Sequence, residues 1–261
     1  MTKTTRVSYS RKGHCVNVTL PEKWTELTDD ELRMVFKCMA SIAWREAIFD
    51  IFHFLTGCQV ESKEDERGMF KISFPIGKVK RYCWVSPEVM VEHVSALNFL
   101  LDPGFLPVRL NRLRDFEAVD AQLHGVTFKQ YINFENFFQT YLRTQNADLL
   151  AKIAAIFYPG FKSATALEEF EVLNILTWSS QIKRNFSKRF PNFFRPAVEG
   201  DPASQPSQMD IMNNQIRALT GGDVTKEEEV FAIDCWRALT ELDAKAKEAE
   251  DFKRQTAKNR H

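Results

Sequence analysis

The residue types that most often carry chemistry are scattered along this chain of 261 residues. The five cysteines stand singly without a Cys-x-x-Cys pair, and no His-x-x-x-His spacing offers two metal ligands on one helix face. Acidic clusters fall where helices are predicted to begin, and a carboxylate there favourably meets the positive end of the helix dipole. We therefore predict no metal ligands, no cofactor and no catalytic residues, and we interpret the cysteines as reduced, mostly buried thiols.

Motifs for nucleotides and activated nucleophiles are absent from the sequence. It contains no Gly-x-Ser-x-Gly, no Walker-type Gly-x-x-x-x-Gly-Lys and no dinucleotide fingerprint. An enzyme would need a pocket that brings distant groups together, such as His93 and His124 with Glu117 or Asp120. The sequence predicts no such pocket, so we expect a protein without enzymatic activity.

One segment combines side chains that recognise a class of ligand. Residues 181–196 interleave cations with phenylalanines, and no acid intervenes. Proteins bind single-stranded nucleic acid in this way, with cations on the phosphates and rings stacked on the bases. On a helix, however, Phe186 and Phe190 share one face and can belong to the core, with the cations as a solvated edge. The candidate nucleic-acid-binding residues are Lys183, Arg184, Lys188 and Arg189.

The composition is that of a globular protein, with 44% hydrophobic residues, 22 Phe and 5 Trp. The 35 basic and 35 acidic residues give a net charge of zero, which favours the packing interpretation of residues 181–196 over nucleic-acid binding. No secretion signal begins the sequence, and no apolar run approaches the roughly 18 residues of a membrane span. We expect a cytoplasmic protein that does not cross a membrane.

Hydrophobic patterning predicts a mainly helical chain with two β-hairpins, at residues 6–20 and 69–85. Thr28 and Glu31 have the spacing of a capping box at a helix start, and Thr56-Gly57 marks a helix end. The predicted helices cover 29–41, 44–56, 87–101, one or two short segments within 128–141, 147–158, and about 165–190. The fold class is α+β, predominantly helical: two β-hairpins packed on a helical body, plus a C-terminal helical tail.

A composition change predicts the domain organisation. Residues 196–210 are rich in proline and serine and poor in apolar residues, which is typical of a linker between a body at 1–195 and a tail at 211–261. In the tail, a short helix over 212–219 precedes a long amphipathic helix from Thr225 to about Phe252. So short a tail cannot bury this apolar face alone, so it must dock on its own body or on another protein. The candidate partner-binding residues are Val230, Ile233, Trp236, Leu239 and Leu242.

Several short blocks carry a resemblance to a known family. The blocks are His124–Phe128, Tyr131–Glu135, Ile156–Pro159, Ile216–Lys226 and Trp236–Leu242. Through them the C-terminal half resembles poorly characterised proteins from phage and prophage structural-gene clusters. The resemblance implies a non-enzymatic accessory of virion morphogenesis, similar to tail-assembly chaperones, located in the host cytoplasm or associated with the virion.

The function we expect is therefore protein binding without catalysis. The partner would be another protein, such as a phage structural protein, held on the apolar face of the last helix. The alternative is a nucleic-acid-binding module that uses residues 181–196.

Overall fold

The structure is a computed structural model of the chain. It describes residues 4–7, 16–41, 43–62, 68–76, 78–102, 108–162, 164, 166–194 and 208–258. Helices predominate and small antiparallel sheets accompany them, which confirms the predicted α+β class. Two compact units divide the chain: unit 1 comprises Met1–Leu110 with Glu168–Asn174, and unit 2 comprises Asn111–Leu167 with Ile175–His261.

This division does not follow the predicted body and tail. The helices of residues 208–258 belong to the same compact unit as residues 111–167. The physical reason is that amphipathic helices need a surface on which to bury their apolar stripes, which a short isolated tail does not provide. Residues 196–207 of the predicted linker lie outside the described residues, and residues 208–210 already belong to a helix.

Among its described residues, unit 1 combines two small antiparallel sheets with three complete α-helices and the start of a fourth. The first sheet pairs two strands with Val7 opposite Val16, which confirms the first hairpin, although its connection lies outside the described residues. The second sheet pairs Phe70–Ile76 with Val79–Val85, which is the second predicted hairpin. A further strand, Gln59–Ser62, pairs with Phe70–Ile76 and was not predicted from the sequence. In chain order the elements are β1 Thr4–Val7, β2 Val16–Thr19, α1 Asp29–Ser41, α2 Trp44–Thr56, β3 Gln59–Ser62, β4 Phe70–Ile76, β5 Val79–Val85 and α3 Pro87–Ser95.

Local signals set the helix ends of unit 1 as predicted, with one exception. Glu31 N–H donates to Thr28 Oγ1 at 3.3 Å and Thr28 N–H to Glu31 Oε2 at 2.8 Å, closing the capping box. Gly57 ends α2 in the left-handed region, at φ 68°. The exception is α3, predicted to reach Leu101, which ends at Ser95 and passes into a 3₁₀ turn over Asn98–Leu101. The tighter turn accompanies burial of Leu97 and Leu100.

The core of unit 1 lies between its helices and one face of the three-stranded sheet. It includes Phe36 of α1, Ile51 and Phe52 of α2, and Ile72 and Phe74 of β4. Since these side chains form one buried cluster, the second hairpin packs on the helices as predicted.

Unit 2 consists mainly of helices. Residues 128–144 form one long helix rather than one or two short ones, and Thr127 and Gln130 close a capping box at its start. The first six residues of α6 belong to unit 1 and the remainder to unit 2. The elements are β6 Arg112–Leu113, β7 Phe116–Glu117, α4 Phe128–Thr144, α5 Ala147–Phe157, α6 Glu169–Arg189, α7 Gln208–Thr220, α8 Glu227–Ala232 and α9 Cys235–Lys258.

The predicted last helix is interrupted between α8 and α9. The backbone at this break pairs with the chain that enters α4, since Phe128 N–H donates to Ile233 O at 2.8 Å and Cys235 N–H to Val126 O at 2.9 Å. Asp234 caps the new helix, because its Oδ1 accepts from Trp236 N–H at 2.8 Å. The prediction of one continuous helix is therefore wrong, since the backbones of Ile233 and Cys235 pair with the segment that enters α4.

Candidate binding groove

The predicted partner-binding face is largely covered within unit 2. Leu239 and Leu242 are buried at 0% and 4% exposure, and Val230, Ile233 and Trp236 are half-buried. The expectation that this face is open to a partner therefore needs correction. Its residues pack mainly inside their own unit, because α8 and α9 lie against α4.

Trp236 shows how this covering is built. Its indole Nε1 donates to Gln122 O at 2.6 Å, and the ring of His124 stacks on it at 4.6 Å. Phe186 and Phe190 meet the same indole edge-on, with ring centroids at 5.3 and 5.5 Å. Two of the blocks that carried the resemblance, 124–128 and 236–242, thus meet at one tryptophan.

The predicted nucleic-acid segment is packed in the same way. Phe186 and Phe190 are buried at 1% and 3% exposure, so their rings are not available for stacking on bases. Lys183 forms an ion pair with Glu135, while Arg184, Lys188 and Arg189 are exposed. Segment 181–194 therefore has the arrangement of a core face with a charged edge; Arg195 lies outside the described residues.

An open surface lies elsewhere in unit 2. A groove of about 650 Å³ runs between α4, the C-terminal end of α6 with the following turn, α7 and α9. Pockets of about 300–1,000 Å³ are the usual size of ligand sites. The groove is lined by Tyr131, Ile132, Glu135, Asn136, Gln139, Lys183, Phe193, Phe194, Ile211, Met212, Asn214, Gln215, Ala218, Leu242, Lys245 and Ala246.

Helical spacing brings these residues to one surface. Ile132, Glu135, Asn136 and Gln139 recur every three or four residues along α4, and the lining residues of α7 and α9 are spaced similarly. Asp243 of α9 fixes the turn after α6, because its carboxylate accepts from the backbone N–H groups of Asn192 and Phe193 at 2.7 and 2.9 Å. Phe193 and Phe194 are thereby held at the rim of the groove.

The polar side of the groove is organised around Glu135. Its Oε1 pairs with Lys183 and accepts from Gln139 Nε2 at 3.1 Å. Its Oε2 and Asn136 Oδ1 are buried acceptors without a hydrogen-bond partner among the described residues. A buried acceptor without a partner is costly, about 1–3 kcal/mol, so these two oxygens favour a bound group that donates hydrogen bonds.

Burial affects two titratable groups at the groove, Tyr131 of its lining and the nearby Cys235. Burial raises the pKa of Tyr131 well above its usual value, and the nearby Glu135 and Cys235 act in the same direction. Burial also raises the pKa of Cys235 to about 12, and its thiol donates to Leu123 O at 3.3 Å. Both groups are therefore neutral at physiological pH and serve packing, as predicted for the cysteines.

Of the distant groups considered for catalysis, the structure brings two together. His124 Nδ1 lies 2.7 Å from Asp120 Oδ1. Burial raises the pKa of Asp120, but hydrogen bonds from His124 and Gln122 outweigh it and hold the pKa below its usual value. Glu117 is exposed, and His93 belongs to unit 1. This pair anchors the loop before α4 beneath Trp236.

The part of the chain that the structure describes holds neither a metal-ligand cluster nor a membrane-spanning helix. Within that part of the chain, no three His, Cys, Asp or Glu side chains come together as a metal site would require. None of its helices has the length and apolar character needed to cross a bilayer.

Comparisons with known proteins give no relative. The chain matches no protein family, and neither characterised proteins nor solved structures show significant similarity to it.

Sequence reasoning missed the groove because its parts come from four separate segments. A signal was nevertheless present: Asn136, Gln139, Asn214 and Gln215 are carboxamides at helical spacing beside apolar residues. Carboxamides beside apolar residues on amphipathic helices indicate a face of mixed polarity, which is neither fully buried in a core nor fully solvated.

Proposed function

We propose that this chain is a protein-binding accessory without catalytic activity of its own, and that unit 2 holds a segment of its partner in the groove. The groove is the observation that carries the proposal. It replaces the predicted face of the last helix as the binding surface, and Leu242 is the one residue of that predicted set that also lines the groove.

The chemistry of the groove suits an extended polypeptide segment. A peptide backbone alternates N–H donors with C=O acceptors, and carboxamides can match both. Glu135 Oε2 and Asn136 Oδ1 supply acceptors for backbone N–H groups, and the amides of Gln139, Asn214 and Gln215 supply donors for carbonyls.

Apolar side chains of the segment would cover the apolar lining of the groove. This lining consists of Ile132, Ile211, Met212, Ala218 and Leu242, together with the rings of Phe193 and Phe194. Methionine and aromatic side chains adapt to varied apolar partners. The bound segment therefore has apolar residues along one side and an exposed backbone.

Peptide selection tests this function. The full chain, immobilised through a terminal tag, is used to select short peptides from a ribosome-displayed random library. We expect enriched peptides with alternating apolar residues, and Asn214→Trp, which narrows the groove, should weaken their binding about tenfold or more.

A neighbouring substitution provides the control. Asn213 is exposed like Asn214, on the same helix, but does not line the groove. Asn213→Trp should therefore leave peptide affinity unchanged. Equal affinities of the two variants, or failure to enrich any peptide, would argue against the groove as the binding site.

The biological setting we propose is virion assembly of a phage or prophage, in the host cytoplasm or in association with the virion. Its support is the resemblance of residues 124–135, 156–159, 216–226 and 236–242 to proteins of such gene clusters. Co-expression with each structural protein encoded beside this gene tests it. One of them should bind the wild-type chain and Asn213→Trp but not Asn214→Trp; binding by none would count against this setting.

A further inference from the structure

The outer face of the three-stranded sheet in unit 1 is a second open surface. Along β5, Lys80, Tyr82 and Trp84 alternate with residues of the opposite face, of which Cys83 and Val85 are buried in the core. Across the ladder, Ser73 lies opposite Tyr82 and Lys71 opposite Trp84. We call the surface formed by Gln59, Glu61, Lys71, Lys80, Tyr82 and Trp84 the outer sheet face; Ser73, on the same side of the sheet, is buried.

Two aromatic rings are presented on this face. Tyr82 is 54% exposed and Trp84 is 41% exposed. Side chains two residues apart on a strand are roughly 7 Å apart and point to the same side. The ring of Trp84 has no aromatic or cationic partner among the described residues, so its face is free to stack on a flat group.

Two cations, Lys71 and Lys80, share the outer sheet face with the rings, whereas Arg81 lies opposite Phe74 on the other face. Lys71 Nζ lies 4.9 Å from the centre of the Tyr82 ring, and Lys80, Lys78 and Arg81 are exposed on the same hairpin. The described strands, 59–62 and 70–85, hold these four cations and a single carboxylate, Glu61. In the whole sequence from residue 59 to residue 85, which includes 63–67, there are six cations and four carboxylates. This segment is therefore positively charged, although the chain as a whole is neutral.

The single carboxylate of the strands is already engaged. Glu61 Oε1 accepts from Ser73 Oγ at 2.5 Å and lies 3.6 Å from Lys80 Nζ. The hydrogen bond from Ser73 is the main cause that lowers the pKa of Glu61, and Lys80 adds to it. The cations of these strands therefore outnumber their one carboxylate, and Lys71 places positive charge beside the Tyr82 ring.

We propose that the outer sheet face binds single-stranded nucleic acid, with bases stacked on Trp84 and Tyr82 and phosphates held by Lys71 and Lys80. Stacking on exposed rings combined with backbone cations is how sequence-tolerant single-strand binders work. A duplex conceals its base faces, so it can use only the cations. This inference is separate from the groove, which lies in the other unit.

Fluorescence anisotropy of labelled homo-oligomers of thymidine and of uridine, each of about 20 nucleotides, tests the inference with the full chain. We expect binding that weakens steeply as salt rises, and Trp84→Ala should lower the affinity about 5- to 150-fold. Trp84→Phe retains a ring and should restore most of the binding. Preference for one oligomer would distinguish DNA from RNA as the ligand.

Cation variants separate this face from residues 181–194. Replacing Lys71 and Lys80 by Ala should reduce the slope of log affinity against log salt by about 1.4, since each phosphate contact contributes about 0.7 for single strands. Replacing Arg184, Lys188 and Arg189 by Ala should leave the affinity unchanged.

Three outcomes would overturn the inference. They are equal affinity of Trp84→Ala and wild type, equal affinity for single strand and duplex, or loss of binding only in the Arg184, Lys188 and Arg189 variant. Because Trp84 is partly exposed, circular dichroism of Trp84→Ala should match the wild type, which separates lost binding from lost folding.

Discussion

Segments 78–85 and 181–194 contain similar residues but present them in opposite ways. Both interleave cations with aromatic rings, and both would be candidate nucleic-acid surfaces from composition alone. On β5, Tyr82 and Trp84 are exposed, whereas on α6 Phe186 and Phe190 are buried. The difference shows that the period of the backbone, and not the composition of the segment, decides whether such rings are exposed or buried in the core.

The physical reason lies in the two backbone periods. A strand sends alternate residues to opposite faces, so Cys83 and Val85 fill the core while Tyr82 and Trp84 remain outside. A helix gathers residues four apart on one face, so Phe186 and Phe190 join the core together. The cations of α6 are left around the edge of a closed aromatic cluster.

Truncation of one ring in each segment gives the largest expected effect. Phe186→Ala should lower the free energy of unfolding by about 3–5 kcal/mol, because it removes a fully buried ring from a packed core. Trp84→Ala should lower it by less than about 1 kcal/mol, since partly exposed side chains contribute less. Urea denaturation followed by circular dichroism measures both; similar losses in the two variants would contradict the comparison.

The cap of α9 gives the next largest effect. Asp234 accepts from Trp236 N–H and, at 2.6 Å, from Gly125 N–H, so it ties the aromatic cluster to the loop before α4. Asp234→Ala should cost about 2 kcal/mol of unfolding free energy and increase quenching of tryptophan fluorescence by acrylamide. Asp234→Asn, which can still cap, should cost less. An Asn variant as unstable as the Ala variant would show that the cap is not the cause.

The smallest effect is a pH dependence from the pair beneath Trp236. Because the pKa of Asp120 is lower in the folded chain than in the unfolded chain, its contribution is present above the unfolded value, 3.8, and is lost as the pH falls through the folded value. Asp120 is about half exposed, so we expect Asp120→Asn to cost less than about 1 kcal/mol at neutral pH.

Urea denaturation between neutral pH and about pH 3 checks this prediction. The stability difference between wild type and Asp120→Asn should shrink toward acid pH. A difference that stays constant or grows toward acid pH would assign Asp120 a different role.

Much of the fold followed from local sequence signals. The start of α1 and the end of α2 match the prediction, because a capping box and a left-handed glycine specify helix ends within a few residues. The strand β3 was missed, since Gln59–Ser62 alternates weakly and gains its place only by pairing with β4. The break at Ile233 and Asp234 was missed because its backbone partners, Val126 and Phe128, are more than a hundred residues away in the sequence.

The candidate site was less predictable than the fold. The apolar stripe of the last helix was recognised, but an amphipathic pattern does not say which surface covers it. The groove depends on how α4, α7 and α9 approach one another, and Asp243 sets the adjoining turn through long-range hydrogen bonds. In β5, the alternation of Lys80, Tyr82 and Trp84 places both rings on one face of the strand. Alternation alone does not say whether that face is covered or exposed.

Hydrogen–deuterium exchange of the full chain with and without a selected peptide tests most directly that unit 2 binds through the groove. We predict slower exchange confined to α4 near 132–139, α7 near 211–218 and α9 near 242–246. Slower exchange over 230–236, the face first predicted from the sequence, or over β5 instead, would contradict the groove as the binding surface.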